Sequence, residues 1–363
     1  MLVGALAELT NVHVLAISDS SQRAVPLHGA TTVTVCERRP IGTTERLLGP
    51  LPTVALWSRG VGAQDLVRQL VATHRVTHVL VSSSYAVVNV PRDLAVPLIV
   101  LALNVEHHRL RNLGSPQASP LRRAWLLVQA GRTRRLEQKV IRRAQAVVAI
   151  SPNDLAGLRA LAEGTTQLHL LPVVPEPSLL AVPLAGRPQA NILFMGSLGY
   201  GPNLEAAGRL IEELLPRVRR TRPDARLIIA GSTPPPALQR MAKGREGVTI
   251  IANFDRTEDI FRRATVFVVP LVYQEGISIK TLSAFASGTP VVATAAVLRS
   301  VGAKADVHAL AAEDPETMAQ AVLRLIDDSS WRTRIAATAR TFVIESFSQE
   351  RLRSTLKTVL RIA

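Results

Sequence analysis

The sequence predicts an α/β protein built from two doubly wound parallel-sheet domains, and three observations predict it. At roughly 150 residues per domain, 363 residues are enough for two. Short apolar strands alternate with helical spacing twice, once before and once after a proline-rich stretch. An apolar fraction of 47% against 20% charged gives both halves a core and excludes disorder of the whole chain.

Met1–Leu9 reads as a helix, and Val12–Ile17 and Thr31–Val35 as strands rich in branched residues. Val61–Thr73 has helical spacing. Thr77–Val81 and Pro97–Leu103 are short apolar runs of the kind that buried parallel strands show. A long amphipathic helix is expected from Pro120 to about Arg143, then a strand over Ala146–Ile150. Ser151 and Pro152 are an N-cap and a first helical position for a helix to about Leu161. Prolines 172, 175, 177, 183 and 188, with almost no charge among them, mark 173–189 as a linker after a first domain over 1–172.

The second domain is expected over 190–345. Strand Asn191–Met195 leads into a glycine-rich turn, Gly196 to Gly201, and a helix that Asn203 would cap and that runs to about Thr221. Arg226–Ala230, Val248–Ile251, Val266–Val269 and Pro290–Ala293 read as strands. Thr257–Arg263, Ile279–Ser287, Pro315–Ile326 and Trp331–Glu345 read as helices. A last helix, Gln349–Arg361, lies in a segment over 346–363 that is expected to return to the first domain.

Net charge is +15, and only five of the 43 basic residues are Lys. Arginine presents the better fork to phosphate and carboxylate. An anionic ligand or an anionic membrane face fits this balance, and so does a plain bias toward arginine. With 4% aromatic residues and no basic tail, nucleic-acid binding is not expected. The single Cys36 excludes a disulfide framework and a cysteine zinc site, and fits a reducing cytoplasm. The apolar start lacks the positive flank of a signal peptide, and the longest uncharged run, Thr281–Leu298, is broken by Gly288-Thr-Pro290, so no transmembrane helix is expected. Arg109–Arg143 holds ten Lys or Arg and one acid, Glu137, interleaved with Leu121, Trp125, Leu126 and Val140. Such a segment rests on anionic lipid, as a peripheral contact at the inner membrane face, or is an ordinary helix with one solvated side.

The turn with Gly196, Gly199 and Gly201 precedes a helix N-terminus, where free amides and the helix dipole can cradle phosphate. Its spacing is not the dinucleotide fingerprint, and a tight strand-to-helix turn explains it equally. The richest segment is Pro270 to Val292. Glu275 stands at a strand exit, where a carboxylate can hold sugar hydroxyls, and the amides of Gly276, Ile277 and Ser278 can face a diphosphate. Lys280 falls in the first turn of a helix, a place mildly unfavourable to a cation, which points to an anionic ligand. An ordinary surface Glu and Lys is the alternative.

This segment resembles the signature of the retaining glycosyltransferases of family 4, with the GT-B fold: Glu, seven residues, a second Glu, a small-residue helix and Gly-x-Pro-Val-Val. Glu275 matches the first position and Gly288-Thr-Pro290-Val-Val the tail. Phe194 to Asn203 resembles the opening of the donor domain, Pro223 to Gly231 its second strand and turn, and Phe347-Ser-Gln-Glu350 the start of the final helix. Asn104-Val-Glu106 and Arg143 to Ser151 resemble landmarks of the acceptor domain.

The resemblance implies two Rossmann-like domains facing across a cleft and transfer of a sugar from a nucleotide diphosphate sugar to a glycan, a lipid-linked saccharide or a small molecule. It further implies no resident cofactor and no metal, since basic side chains, amides and a helix N-terminus neutralise the departing diphosphate. Glu275 would contact the sugar, Gly276–Ser278 and Lys280 the diphosphate, and Gly196 and Ser197 the donor from the opposite loop. Gly231 belongs to the same donor side; Asn104, Glu106 and His107 belong to the acceptor side. The donor's own phosphate would take the acceptor proton, and no tight His–carboxylate pair stands out in the sequence.

Three features depart from the family pattern. Ser283 occupies the second Glu position, which usually grips the ribose. Leu101-Ala-Leu103 stands where relatives carry an Asp and a His, for which His107 and His108 would substitute unless they are merely exposed at a helix start. The sequence also opens inside the first helix, so the family's first strand and its glycine-rich loop are not in it. These departures favour the alternative of a catalytically impaired relative that binds sugar nucleotide or supports a partner. A sugar-nucleotide epimerase on the same fold lacks matched motifs.

Overall fold

Every ladder between the strands is parallel, as the apolar runs and their helical connections require. The structure is a computed structural model that describes residues 2–19, 27–113, 119–162, 166–184 and 190–362. The chain forms two units, Met1–Leu171 with Gln349–Ala363, and Pro172–Ser348.

In the first unit β1 (His13–Ser18) pairs with β2 (Thr32–Glu37), from His13 opposite Thr32 to Ser18 opposite Glu37. A separate four-stranded sheet runs β3 (Val79–Ser82), β4 (Leu98–Ala102), β5 (Ala146–Ala149), β6 (Gln167–Leu170) in that spatial order. The apolar stretches of β4 and β5 are buried throughout and form a core with Val81, Val140, Ile141 and Leu158. The helix Pro120–Arg143 has the expected bounds, with Ser119 as its cap. The helix Pro152–Arg159 is capped by Ser151, whose Oγ accepts from the amide of Asp154 at 3.0 Å. The last helix, Gln349–Leu360, joins this unit, and Arg353 pairs with Glu8 at 2.6 Å. Helices Thr43–Leu48, Thr53–Trp57 and Glu106–Leu113 and strand β6 were not expected; they are short and carry few apolar residues at a regular period.

The second unit holds one six-stranded sheet in the order β12-β11-β10-β7-β8-β9. Its strands are β7 (Asn191–Met195), β8 (Arg226–Gly231), β9 (Val248–Ala252), β10 (Val266–Val269), β11 (Val291–Ala293) and β12 (Leu310–Ala311). The first strand in sequence is thus central. The chain adds β8 and β9 on one side, then crosses back to add β10, β11 and β12 on the other. Between β7 and β10 the winding reverses, and at such a switch point the loops at the carboxyl ends of the strands diverge to leave a crevice. The helix Ile279–Ala286 is apolar on almost every side and is buried from Thr281 to Ala286.

Part of the proline-rich stretch read as a linker packs into this unit. Pro177–Ala181 forms a short 3₁₀ helix, Leu179 and Val182 are buried, and Arg340 Nη2 donates to the carbonyl of Val182 at 2.6 Å. The rest of that stretch, 185–189, lies outside the described residues. Asn203 is not a cap: the helix starts at Gly201 after Tyr200, so Asn203 sits inside its first turn with its side chain available for other contacts. Helices Pro236–Ala242 and Ala295–Val301 add to those expected.

Candidate functional site

The two loops that flank the switch point are 196–200, after β7, and 270–278, after β10. They meet through one side chain. Lys280 Nζ donates to Asn203 Oδ1 at 2.6 Å, and Asn203 Nδ2 donates to the carbonyl of Ser197 at 3.0 Å. The ammonium lies 4.9 Å from the centroid of the Phe194 ring, a cation–π contact within β7's own exit. A Cβ added to Gly196 would come within 2.9 Å of Lys280 Nζ and 2.8 Å of Asn203 Nδ2, so the glycine backbone and the cation are close neighbours. Burial pushes the Lys280 ammonium down to about 8. A cation held in a partly dry site beside glycine amides attracts an anion with little screening.

Gly231 completes the turn. A Cβ there would overlap the carbonyl oxygen of Gly196, so only glycine lets the ends of β7 and β8 approach this closely. The amide of Gly196 donates to Ala230 and that of Leu198 to Ser232, both at 3.0 Å. Beside these turns opens a cleft of about 300 Å³, lined by Met195, Gly196, Gly231, Ser232, Asn253, Phe254 and Thr257. The last three were not singled out in the sequence. The available signal was position: they directly follow β9, at the same carboxyl edge, and Asn253 takes a left-handed turn with φ +50°.

After β10, Glu275 is half-buried beside Gly276, which has φ +62°. Among the described residues nothing accepts from the amides of Gly276 and Ile277. Ser278 differs from expectation. Its amide donates to Ser300 Oγ at 3.3 Å and its hydroxyl meets Thr281 Oγ1 at 2.8 Å, so it holds the loop to the following helices. Ser283 lies one turn further along the helix, 8% exposed. Among the described residues no group of three His, Cys, Asp or Glu could hold a metal ion.

The first-unit candidates form a separate cluster. Asn104 Nδ2 donates to Glu106 Oε1 at 3.2 Å, and burial raises the Glu106 carboxyl above its usual range. His107 corrects the expectation of a histidine exposed at a helix start: it is 3% exposed, and its Nδ1 lies 2.7 Å from Glu137 Oε2. This is also the tight His–carboxylate pair that the sequence did not reveal, because the partners are 30 residues apart on different helices. Glu137 also accepts from the amide of Glu106 at 2.8 Å, capping the Glu106–Leu113 helix from the Pro120–Arg143 helix. Among the candidate cations of that long helix, Arg132 donates to the carbonyls of Arg46 and Leu47, and Arg143 to those of Val90 and Pro91. Among the described residues no helix is long and apolar enough to cross a membrane.

The second unit's loops and glycines coincide with a family match: residues 189–328 fit the model of the glycosyl transferases group 1. The second unit therefore resembles that family. An uncharacterised glycosyltransferase of Methanocaldococcus jannaschii is 29% identical over 185 residues, 47% of this chain and 45% of that relative. The likeness in fold extends over nearly the whole chain. Sucrose-phosphate synthase from Thermosynechococcus elongatus superposes with a TM-score of 0.71 at 18% identity, covering 99% of this chain and 91% of that one. HepE of Anabaena, in complex with UDP-glucose, superposes with a TM-score of 0.62 at 12% identity, covering 97% and 100%. Staphylococcus aureus TarM is matched over only 54% of its length. The chain therefore has the GT-B fold of two Rossmann-like domains, and it spans less than half the length of the curated relative that it matches.

Proposed function

We propose that this chain is a retaining glycosyltransferase that moves a sugar from a nucleotide diphosphate sugar to a glycan, a lipid-linked saccharide or a small molecule. One observation carries the reading: Lys280, 2.6 Å from Asn203 and against Gly196, ties the helix after β10 to the glycine turn after β7 and sets a cation beside that turn. Similarity to HepE, whose structure holds UDP-glucose, supports a sugar nucleotide as that anion.

In this reading Lys280 and the amides of Gly276 and Ile277 meet the diphosphate, Glu275 and Ser197 hold the sugar, and Ser283 faces the ribose. The base enters the cleft between Gly231 and Asn253–Thr257. As the bond from the anomeric carbon to the phosphate oxygen breaks, negative charge grows on the diphosphate, and fixed donors gain most there. The acceptor hydroxyl bonds to that carbon on the face the diphosphate leaves, and its proton passes to the departing phosphate oxygen. Acceptor recognition falls to the first unit, where Asn104 is the accessible member of the Asn104–Glu106–His107 cluster.

Ser283 favours a second reading, a protein that binds sugar nucleotide with little turnover, since a hydroxyl replaces a charged grip. Calorimetry with a panel of nucleoside diphosphates, followed by NMR of the donor's anomeric proton, separates the two. Binding with turnover and retained configuration is the expected result. Binding alone selects the second reading, and no binding to any diphosphate removes both. Peripheral membrane contact is proposed for the start of the Pro120–Arg143 helix, where Leu121, Leu127 and Val128 are exposed beside Arg122 and Arg123. Failure to sediment with anionic vesicles at low salt would remove that proposal.

A further inference from the structure

The aromatic side chains of the second unit divide sharply. Phe194, Phe261, Phe267 and Phe285 are fully buried, whereas Tyr200 and Tyr273 are 44% and 38% exposed. No other aromatic residue among the unit's described residues is exposed. The chain has only three tyrosines, and these two stand on the two loops that flank Lys280, one after β7 and one after β10. Val272, next to Tyr273, and Ile279, next to Lys280, are exposed as well. Single exposed apolar residues are ordinary; a group of them beside a buried cation marks a binding surface.

Both loops are held in place before any ligand arrives. After β10, Thr294 Oγ1 donates to the carbonyl of Leu271 at 2.6 Å, and Leu271 and Ile277 are buried on either side of Tyr273. After β7, the amide of Tyr200 donates to the carbonyl of Ser197 at 3.2 Å, and those of Asn203 and Leu204 donate to the carbonyl of Tyr200 at 3.0 Å. The 2.6 Å bond from Lys280 to Asn203 pins the starts of the two following helices together. Tyr273 thereby comes under the influence of the other loop. Burial raises its hydroxyl above the usual value, and the charges of Tyr200, Glu275 and Glu205 add to the rise. A tyrosine on a fixed loop loses little freedom when it is covered, since its ring turns about two bonds only.

Rings and carboxylates together select a class of ligand. An aliphatic chain would cover the rings but desolvate the carboxylates without pairing them. An anionic group would be repelled by Glu205 and Glu275. A sugar ring suits both. Its face of C–H bonds is attracted to the electron-rich face of a tyrosine, and its hydroxyls donate to carboxylate oxygens.

We propose that Tyr200, Tyr273 and Glu205 form a saccharide subsite on the solvent side of Lys280, and that it takes the acceptor as a neutral sugar ring. The inference rests on the nucleotide-sugar reading of the same unit and deepens it, by choosing a neutral glycan among the acceptor classes. Glu275 keeps the donor sugar, and the acceptor ring lies further out, against the tyrosines.

The test probes an array of neutral, acidic and lipid-linked saccharides with the full chain and measures the strongest binder by calorimetry. Neutral saccharides are expected to bind. Tyr200→Ala and Tyr273→Ala should each weaken that binding by about tenfold, while Tyr273→Phe, which keeps the ring, should stay within about twofold of the parent. All three variants should keep the Tm and the affinity for a nucleoside diphosphate, because exposed loop side chains carry neither. Glu205→Gln should let acidic saccharides bind. Absence of neutral saccharide binding, a preference for acidic or lipid-linked saccharides, or binding that neither alanine variant weakens would each overturn the proposal. Diphosphate binding without saccharide binding would sink this inference alone. Tyrosine-dependent saccharide binding without binding of any diphosphate would leave the subsite standing and remove the nucleotide-sugar reading.

Discussion

In the second unit the central place of the sheet is held by β7, and every residue of the neighbouring β10 is inaccessible; in the first unit β1 stays half-exposed from end to end. Both units use the same alternation of short apolar strands and covering helices. What separates them is where the candidate polar groups gather. In the second unit the turn after β7 meets the helix after β10, and Lys280, Asn203 and Gly196 come together. In the first unit the candidate polar groups form a buried structural network around Glu137 instead. The central strand thus does two jobs: it seals the core, and its loop builds one wall of the site.

The largest effect that would break this contrast is expected from Gly231→Ala. Its new Cβ would overlap the Gly196 carbonyl, and backbone cannot give way as a side-chain tip can. A loss of about 1–3 kcal/mol confined to the second unit is expected, with loss of diphosphate binding, read by thermal unfolding and by exchange in β7 and β8. Gly196→Ala is the sharpening control: its Cβ meets only the ends of Asn203 and Lys280, so stability should barely change while binding weakens. Equal destabilisation by both would mean that the glycines serve the turn and not a ligand.

The next effect is expected from Lys280→Met, which keeps the packing against Phe194 and removes the charge. Affinity for a nucleoside diphosphate should fall about ten- to hundredfold, the worth of a charge-assisted hydrogen bond. The ligand-free protein should lose no stability, since burial already disfavours the ammonium. Calorimetry and unfolding on the same sample decide it; a stability loss with unchanged affinity would make Lys280 a structural cation.

Much of this was legible in the sequence where a pattern is local. Residues 266–269 and 191–195 are strands as read, and Ser151-Pro152 starts a helix, because apolar runs and caps act over a few residues. What stayed illegible is what tertiary packing decides. Asn203 looked like a cap, and only the fold shows it turned toward a lysine 77 residues away. The Ser278 amide looked free until Ser300, 22 residues on, was placed beneath it. Phe254 and Thr257 carry no recognisable chemistry alone and gain it only from sitting at the same sheet edge as Gly231.

Ser283→Glu tests the ribose side and runs in the opposite direction. The site is 8% exposed, so an added carboxylate would be poorly hydrated without a ligand. The ligand-free variant should therefore melt lower, while a nucleoside diphosphate should bind tighter by roughly 1–3 kcal/mol and recover the lost stability. A deoxyribonucleotide lacking both hydroxyls should show no such gain. No gain with either would mean that position 283 does not face the ribose.

The smallest effect is a proton. In the free protein Lys280 titrates at about 8, because burial disfavours its charge, whereas in the unfolded chain it titrates near 10.5. The unfolded state therefore binds more protons between those values, and the folded protein gains stability as pH rises through that window. A bound diphosphate reverses the sense by stabilising the ammonium and raising its value. Binding at pH 8.5 should then take up part of one proton, seen as a dependence of the calorimetric heat on the buffer's ionisation enthalpy. Above pH 8 the affinity should weaken, by at most about tenfold per pH unit for one linked proton, until the value of the bound state is passed. Lys280→Met should show neither effect from this group, which separates the lysine's proton from those of the nucleotide's own phosphates. If wild type and variant took up protons equally, the anion would not be sitting against Lys280.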